Sequence, residues 1–199
     1  MSGADSERGG ERLFVALELE EALLAALGAW GANSLNDPAL RPVPVEYLHI
    51  TLAFLGKVEA EAVKTLEEAL RGCARPAPRL ELLDPVGKGG RRRPHLFALP
   101  VRSAAAVALR AQVAERLAGA GLYEQAEQPY WPHVTVARVR RENGGRRRPR
   151  RVAEPPLSLP PTIREHLFDA VRLTLYRSEL GPQGARYTPL TQIELPEGR

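Results

Sequence analysis

Two stretches of this chain set a histidine and a threonine two residues apart inside an apolar run. The first reads Leu48-His49-Ile50-Thr51-Leu52-Ala53-Phe54-Leu55, the second Pro132-His133-Val134-Thr135-Val136-Ala137-Arg138-Val139. An unperturbed imidazole titrates near about pH 6.5, so it can give or take a proton at neutral pH. Two imidazoles on either side of one atom can divide the work. One takes the proton of an attacking water and the other protonates the leaving oxygen, each role typically contributing about 10²–10⁴-fold. Threonine adds a short hydroxyl on a stiff side chain. Two such hydroxyls on facing walls suit a tetrahedral anion with several oxygens, and phosphate is the obvious candidate. No carboxylate or thiolate cluster presents itself for a metal, so charge stabilisation falls to His, Thr, Arg and backbone donors. The four histidines lack the ligand spacing of a zinc site, and no G-x-S-x-G is present.

Each phrase has the β-branched, apolar character of a strand. On a strand, residues i and i+2 share a face about 7 Å apart. His49 with Thr51, and His133 with Thr135, therefore point one way, and Ile50 and Val134 point into a core. Parity then raises a difficulty. Arg138 and Phe54 lie five residues beyond their histidines and belong on the opposite face. Either each strand bends or bulges just past its threonine, or these two residues serve elsewhere. Arg138 is a candidate phosphate contact. Phe54 and Phe14 are candidates for base stacking, with core packing as the alternative, and Tyr176 and Tyr187 are weaker candidates. His95 and His166 read as structural or surface residues.

The elements that would carry these phrases follow from periodicity. Strands are predicted over 12–19, 47–55, 79–86, 95–101, 131–140, 169–179 and 186–195. Helices are predicted over 20–30, 59–72 and 103–117. The stretches 33–44 and 87–94 read as loops. Residues 141–164, charged and then Pro-rich, read as a long loop holding the basic run 146–151. A second basic run is Arg91-Arg92-Arg93. Strands and helices mix, with strand pairs joined by short turns, so the class is α+β. Residues 1–11 read as a disordered tail and 12–196 as one domain.

The chain of 199 residues has a net charge of +4 and a pI near 9.6, which points to an anionic partner. Arginine greatly outnumbers lysine, but an Arg-, Ala- and Pro-rich chain is also what a GC-biased genome writes. No apolar run is long enough to span a membrane. The single cysteine, Cys73, forms no internal disulfide and reads as a small buried residue. A cytoplasmic location and a monomer are expected.

With the phrases LHITLAFLG and PYWPHVTVAR, the opening RLFVALEL and the ending LTLYRSELGPQGARYTPL, the chain resembles the 2H phosphoesterase superfamily. Within it, the resemblance is to the bacterial RNA 2′,3′-cyclic phosphodiesterases, also called 2′-5′ RNA ligases. That resemblance implies a bilobal fold: two pseudo-symmetric lobes of antiparallel sheet, with outer helices, around a central cleft. It implies metal-free, cofactor-free hydrolysis of an RNA 2′,3′-cyclic phosphate end to a 2′-phosphate. It also implies the roles: His49 as proton donor, His133 as proton acceptor, and Thr51 and Thr135, with Arg138, on the phosphate. The residues alone do not say which histidine is acid and which is base. Alternatives are 2′-5′ ligation or 2′-5′ oligonucleotide hydrolysis, and a non-catalytic module that binds RNA ends. The basic runs 91–93 and 146–151 read as solvated loops or as a clamp for RNA phosphates.

Overall fold

Strand β1 (Glu11–Leu19) is buried on both faces from Leu13 to Leu17, as expected of a strand in the middle of a covered sheet. It feeds helix α1 (Glu21–Ser34), which buries Leu23, Leu27 and Trp30 at helical spacing. After β2 (Leu40–Pro42) and a 3-10 turn at Val45–Tyr47 comes β3 (His49–Val58), the first His-Thr strand. Helix α2 (Ala60–Arg71) buries Leu66 and Leu70. Strands β4 (Arg79–Leu82), β5 (Val86–Gly90) and β6 (Arg93–Arg102) follow. Helix α3 (Ala104–Gly119) starts at Ser103, whose Oγ accepts the Ala106 N–H at 3.1 Å, a side-chain cap. The second His-Thr strand is β7 (His133–Val139). A single helical turn, α4 (Pro161–Arg164), precedes β8 (Leu167–Gly181) and β9 (Gly184–Glu194). The computed structural model describes residues 10–90, 93–124, 129–142, 148–181 and 184–196.

Every pairing among the described strands is antiparallel. The order runs β2-β7-β3-β1-β8-β4-β6-β5, with β9 on β8, and β6 returns to pair with β7. The path β7-β3-β1-β8-β4-β6 thus closes on itself into a barrel-like sheet. The expected α+β class and its lobes are present. One lobe holds β8-β1-β3 and the other β5-β6-β7, and the two meet at the pair Ile50↔Val134. In each, a strand leads to a helix, and the His-Thr strand returns beside that first strand: β1-α1-β3 in one, β6-α3-β7 in the other.

Several elements differ from those read in the sequence. Glu11, placed in the tail, pairs with Val58 in β1; residues 1–9 lie outside the described residues. The strand predicted over 79–86 is two, β4 and β5, and β5 occupies the glycine-rich stretch read as a loop. Pairing with β6 overrides the poor strand propensity of Gly-Lys-Gly-Gly. Strand β2 forms inside the predicted turn region because β7 offers it an edge. Trp131 and Pro132 precede β7 rather than belong to it. Cys73 is buried, just beyond the end of α2.

The described part of the long loop is tied to the body. Buried Asp37 accepts the backbone N–H groups of Ala39, Ala153 and Glu154 at 2.7–2.8 Å. The Glu154 bond is the strongest of several influences that hold its carboxyl below the usual range. Ser34 Oγ accepts the Leu157 N–H, Asp84 accepts the Leu159 N–H, and Trp30 Nε1–H donates to the Leu157 carbonyl. Leu159 and Ile163 are buried. The basic runs 91–93 and 146–151 fall partly, at 91–92 and 146–147, outside the described residues.

Candidate active site

The parity difficulty is resolved by two bulges. Ala16 pairs with Thr51 and Val15 with Ala53, so Leu52 is the extra residue on β3. Ala98 pairs with Thr135 and Phe97 with Ala137, so Val136 is the extra residue on β7. A bulge opposes two residues to one and re-aims everything after it. Both phrases consequently show one burial pattern: His and Thr half-buried, the bulge residue and the following alanine buried, then Phe54 or Arg138 exposed. Each side chain after the bulge rejoins the face of its His and Thr.

Phe54 and Arg138, with both histidines and both threonines, line one cavity of about 650 Å³. The antiparallel register Ile50↔Val134 places His49 across from Thr135, and Thr51 across from His133, on adjacent strands.

The two imidazoles are held alike. His49 Nδ1–H donates to the Tyr47 carbonyl at 2.8 Å, and His133 Nδ1–H to the Trp131 carbonyl at 2.8 Å. A carbonyl only accepts, so each neutral ring carries its proton on Nδ1 and turns a basic Nε2 toward the cavity. His49 Nε2 accepts the Thr51 hydroxyl proton at 3.0 Å.

Their surroundings differ. His49 sits in an aromatic wall, with its ring 5.1 Å from Phe14, 5.6 Å from Tyr187 and 6.2 Å from Tyr176. Burial, then the nearby charges of His133 and Arg138, lower its pKa to about 4, against the opposing pull of the Tyr47 carbonyl and Glu18. His133 stacks on Trp131 at 4.1 Å, and Lys88 Nζ lies 3.9 Å from the centre of the Trp131 ring. Burial and the Lys88 charge hold His133 below the ordinary value, against the Trp131 carbonyl.

Glu18, the cross-strand partner of His49, closes the back of the site. Burial works to raise its pKa. Hydrogen bonds donated by Thr174, Gln192, Tyr176 and Arg172 outweigh this and keep it ionised below the usual range. Tyr130 hydroxyl donates to the Thr51 carbonyl at 3.1 Å and so braces the first phrase from the segment leading to the second.

Of the two phenylalanines, Phe54 is 74% exposed and Phe14 is 3% exposed. Phe14 is stacked on Tyr176 at 5.2 Å and supports His49, so Phe54 is the ring open to a base. His95 and His166 are exposed and outside the cavity. Among the described residues no three His, Cys, Asp or Glu side chains converge as a metal-binding group, and no helix is long and apolar enough to cross a membrane. Reasoning from sequence missed Tyr47, Trp131, Tyr130, Lys88 and Arg41. A signal for the first two was present: both phrases carry an aromatic residue two positions before the histidine, whose carbonyl takes the Nδ1 proton.

A two-lobed sheet with a His-x-Thr strand from each half on one cavity defines a class of protein. The chain belongs to the 2′-5′ RNA ligase superfamily, whose model matches residues 18–181. Its relatives include the RNA 2′,3′-cyclic phosphodiesterase of Escherichia coli (strain K12), 29% identical over 185 residues, which are 93% of this chain and 97% of that one. Similar solved structures include E. coli LigT complexed with 3′-AMP (28% identity, TM-score 0.71, covering 94% of this chain and 99% of that one). A Thermus thermophilus protein is similar too (25% identity, TM-score 0.72, covering 94% and 100%).

Proposed function

We propose that the protein hydrolyses RNA 2′,3′-cyclic phosphate ends to 2′-phosphomonoesters by acid–base catalysis without a metal. The observation that carries the reading is the matched pair of His-x-Thr strands, antiparallel neighbours whose Nε2 atoms address one cavity. The name of the E. coli relative and the 3′-AMP complex of LigT support the choice of substrate.

In this mechanism His133 Nε2 takes a proton from a water as that water attacks phosphorus. The bond from phosphorus to O3′ breaks, and His49 Nε2–H gives its proton to the departing oxygen. The 2′-phosphate and a 3′-hydroxyl result, and the histidines have exchanged protonation states. Burial and the Lys88 charge hold His133 in its neutral, proton-accepting form; Glu18 pulls His49 toward its charged form, against the burial that lowers its pKa. Thr51, Thr135 and Arg138 bind the phosphoryl oxygens. Protonation of His49 converts its Nε2 from acceptor to donor, which frees the Thr51 hydroxyl for the phosphate. The same groups act in the same direction when a 5′-hydroxyl replaces water: His133 takes its proton, the bond to O3′ breaks with a proton from His49, and a 2′-5′ phosphodiester results, the ligation that the family is named for.

The test is hydrolysis of a 2′,3′-cyclic nucleotide in EDTA. His49→Ala and His133→Ala are each expected to lower kcat by about 10²–10⁴-fold. Activity that EDTA abolishes, or that survives either substitution, overturns the reading; wild-type binding without turnover favours the binding module.

A further inference from the structure

The likeness between the two halves of the cleft breaks at one pair of positions. Phe54 and Arg138 follow the two bulges at equivalent places, yet one is a neutral ring and the other a guanidinium. Because β3 and β7 are antiparallel, these side chains lie toward opposite ends of the cavity. The scaffold is near-symmetric and the chemistry along it is polar.

The Arg138 end continues beyond the cavity. Arg41, on β2, is the direct cross-strand partner of Arg138. Like charges set opposite one another destabilise a sheet. Among the described residues neither guanidinium ion-pairs with a carboxylate. A second groove of about 400 Å³ opens from this pair and is lined by Arg41, His95, Arg138, Arg140 and Arg141, with Val139 and Pro149. No acidic side chain among the described residues lines it. Glu142, next along the chain, is occupied by Arg93 at 2.6 Å.

The groove has built features. Arg138, on β7, and Arg140, one residue past its end, are both exposed along the same extended run, with Val139 buried between them. They stand about 7 Å apart along it, on the scale of one phosphate step in an extended single strand. Arg140 Nε–H donates to the Leu40 carbonyl at 3.2 Å, which fixes its direction. His95 lies over Gly89, whose φ of +113° and missing side chain make the space; a Cβ there would overlap the imidazole.

We propose that this groove is a second phosphate subsite, which takes the phosphodiester on the 5′ side of the cyclic terminus. The substrate class is then an oligonucleotide end rather than a free cyclic nucleotide. The terminal base faces Phe54, and the chain leaves past Arg138 and Arg41. This inference rests on the cyclic phosphodiesterase reading. Arginine forks suit such phosphates, and the affinity they give depends on salt.

The test compares a 2′,3′-cyclic mononucleotide with a trinucleotide ending in a 2′,3′-cyclic phosphate, using the wild type and Arg140→Gln/Arg141→Gln. The wild type is expected to prefer the trinucleotide by about 10-fold or more in kcat/KM, carried by KM, the scale of one charge-assisted contact. The double variant is expected to lose most of that preference, with mononucleotide turnover within about 2-fold of wild type. Its salt dependence for the trinucleotide should flatten by about one charge or more. Equal losses on both substrates, or no preference in the wild type, overturn the subsite. Binding of a trinucleotide with a 2′-phosphate end, read by anisotropy, separates the two claims. If neither cyclic substrate turns over, the catalytic reading fails; a weakening of about 10-fold in the double variant still upholds the subsite, and unchanged binding overturns it.

Discussion

Free His49 is almost wholly neutral at pH 7, yet the proposed acid must carry a proton. Its pKa of about 4 means that about one molecule in 1000 is charged at that pH, a handicap of about 4 kcal/mol. An anionic phosphate in the cavity removes it. One unit charge about 4 Å from the imidazolium attracts it by about 4 kcal/mol at an effective dielectric of about 20, which returns the pKa of the ring to about 7. Substrate binding thereby charges the acid, and the resting enzyme keeps two basic nitrogens. The assay is an NMR titration of the four histidine Cε1–H signals from about pH 3.5 to 8, a window that spans the shifted and ordinary values, with His49 assigned through His49→Gln. The free protein is expected to show His49 titrating near 4. Saturating nucleoside 2′-phosphate should move that midpoint up by about two units or more. A free His49 that titrates near its ordinary value of 6.5, or a midpoint that ligand leaves in place, refutes the reasoning.

The same shift acts on stability. The unfolded chain titrates His49 near 6.5 and the folded chain near 4, so between these values the unfolded state binds more protons. The contribution is present in full above about 6.5 and is lost as pH falls, by about 2–3 kcal/mol at about pH 4.5. Urea unfolding should show that loss in the wild type and much less of it in His49→Gln. Phe54→Ala should leave the melting temperature nearly unchanged, since the ring is exposed. It should weaken nucleotide binding by the about 1–3 kcal/mol of a base stack, read as KM. Asp37→Ala strands three backbone N–H groups and should cost about 3 kcal/mol, with faster proteolysis at Arg150 and Arg151. Lys88→Met removes the charge over Trp131 and should raise the His133 midpoint in the same NMR titration, with Lys88→Arg restoring it.

The sequence carried the pairing of His49-Thr51 with His133-Thr135 because strand parity is a local property and the phrase occurs twice. It carried the helices through their apolar spacing, Leu66 with Leu70 being a clear case. It could state the problem posed by Phe54 and Arg138 without solving it. A bulge is a matter of register between strands, and the residue inserted, Leu52 or Val136, is an ordinary apolar strand residue. Strand β5 was illegible for a related reason: its glycines take strand form only because β6 lies beside them. Lys88 was hidden with it. The anchored loop at 153–159 reads as polar and Pro-rich. Its order comes from Asp37, Ser34 and Asp84, whose carboxylates and hydroxyl find backbone partners far away in the chain.

The direct pairing of Ile50 with Val134 has a kinetic consequence. The proposed acid and base, His49 and His133, ride on neighbouring strands of one hydrogen-bonded sheet, so they cannot swing apart as the jaws of a hinged enzyme do. Their separation is set when the chain folds, before any substrate arrives. Closure then has no part in assembling the site, and turnover is expected to respond to proton availability and product departure rather than to solvent viscosity acting on a lid.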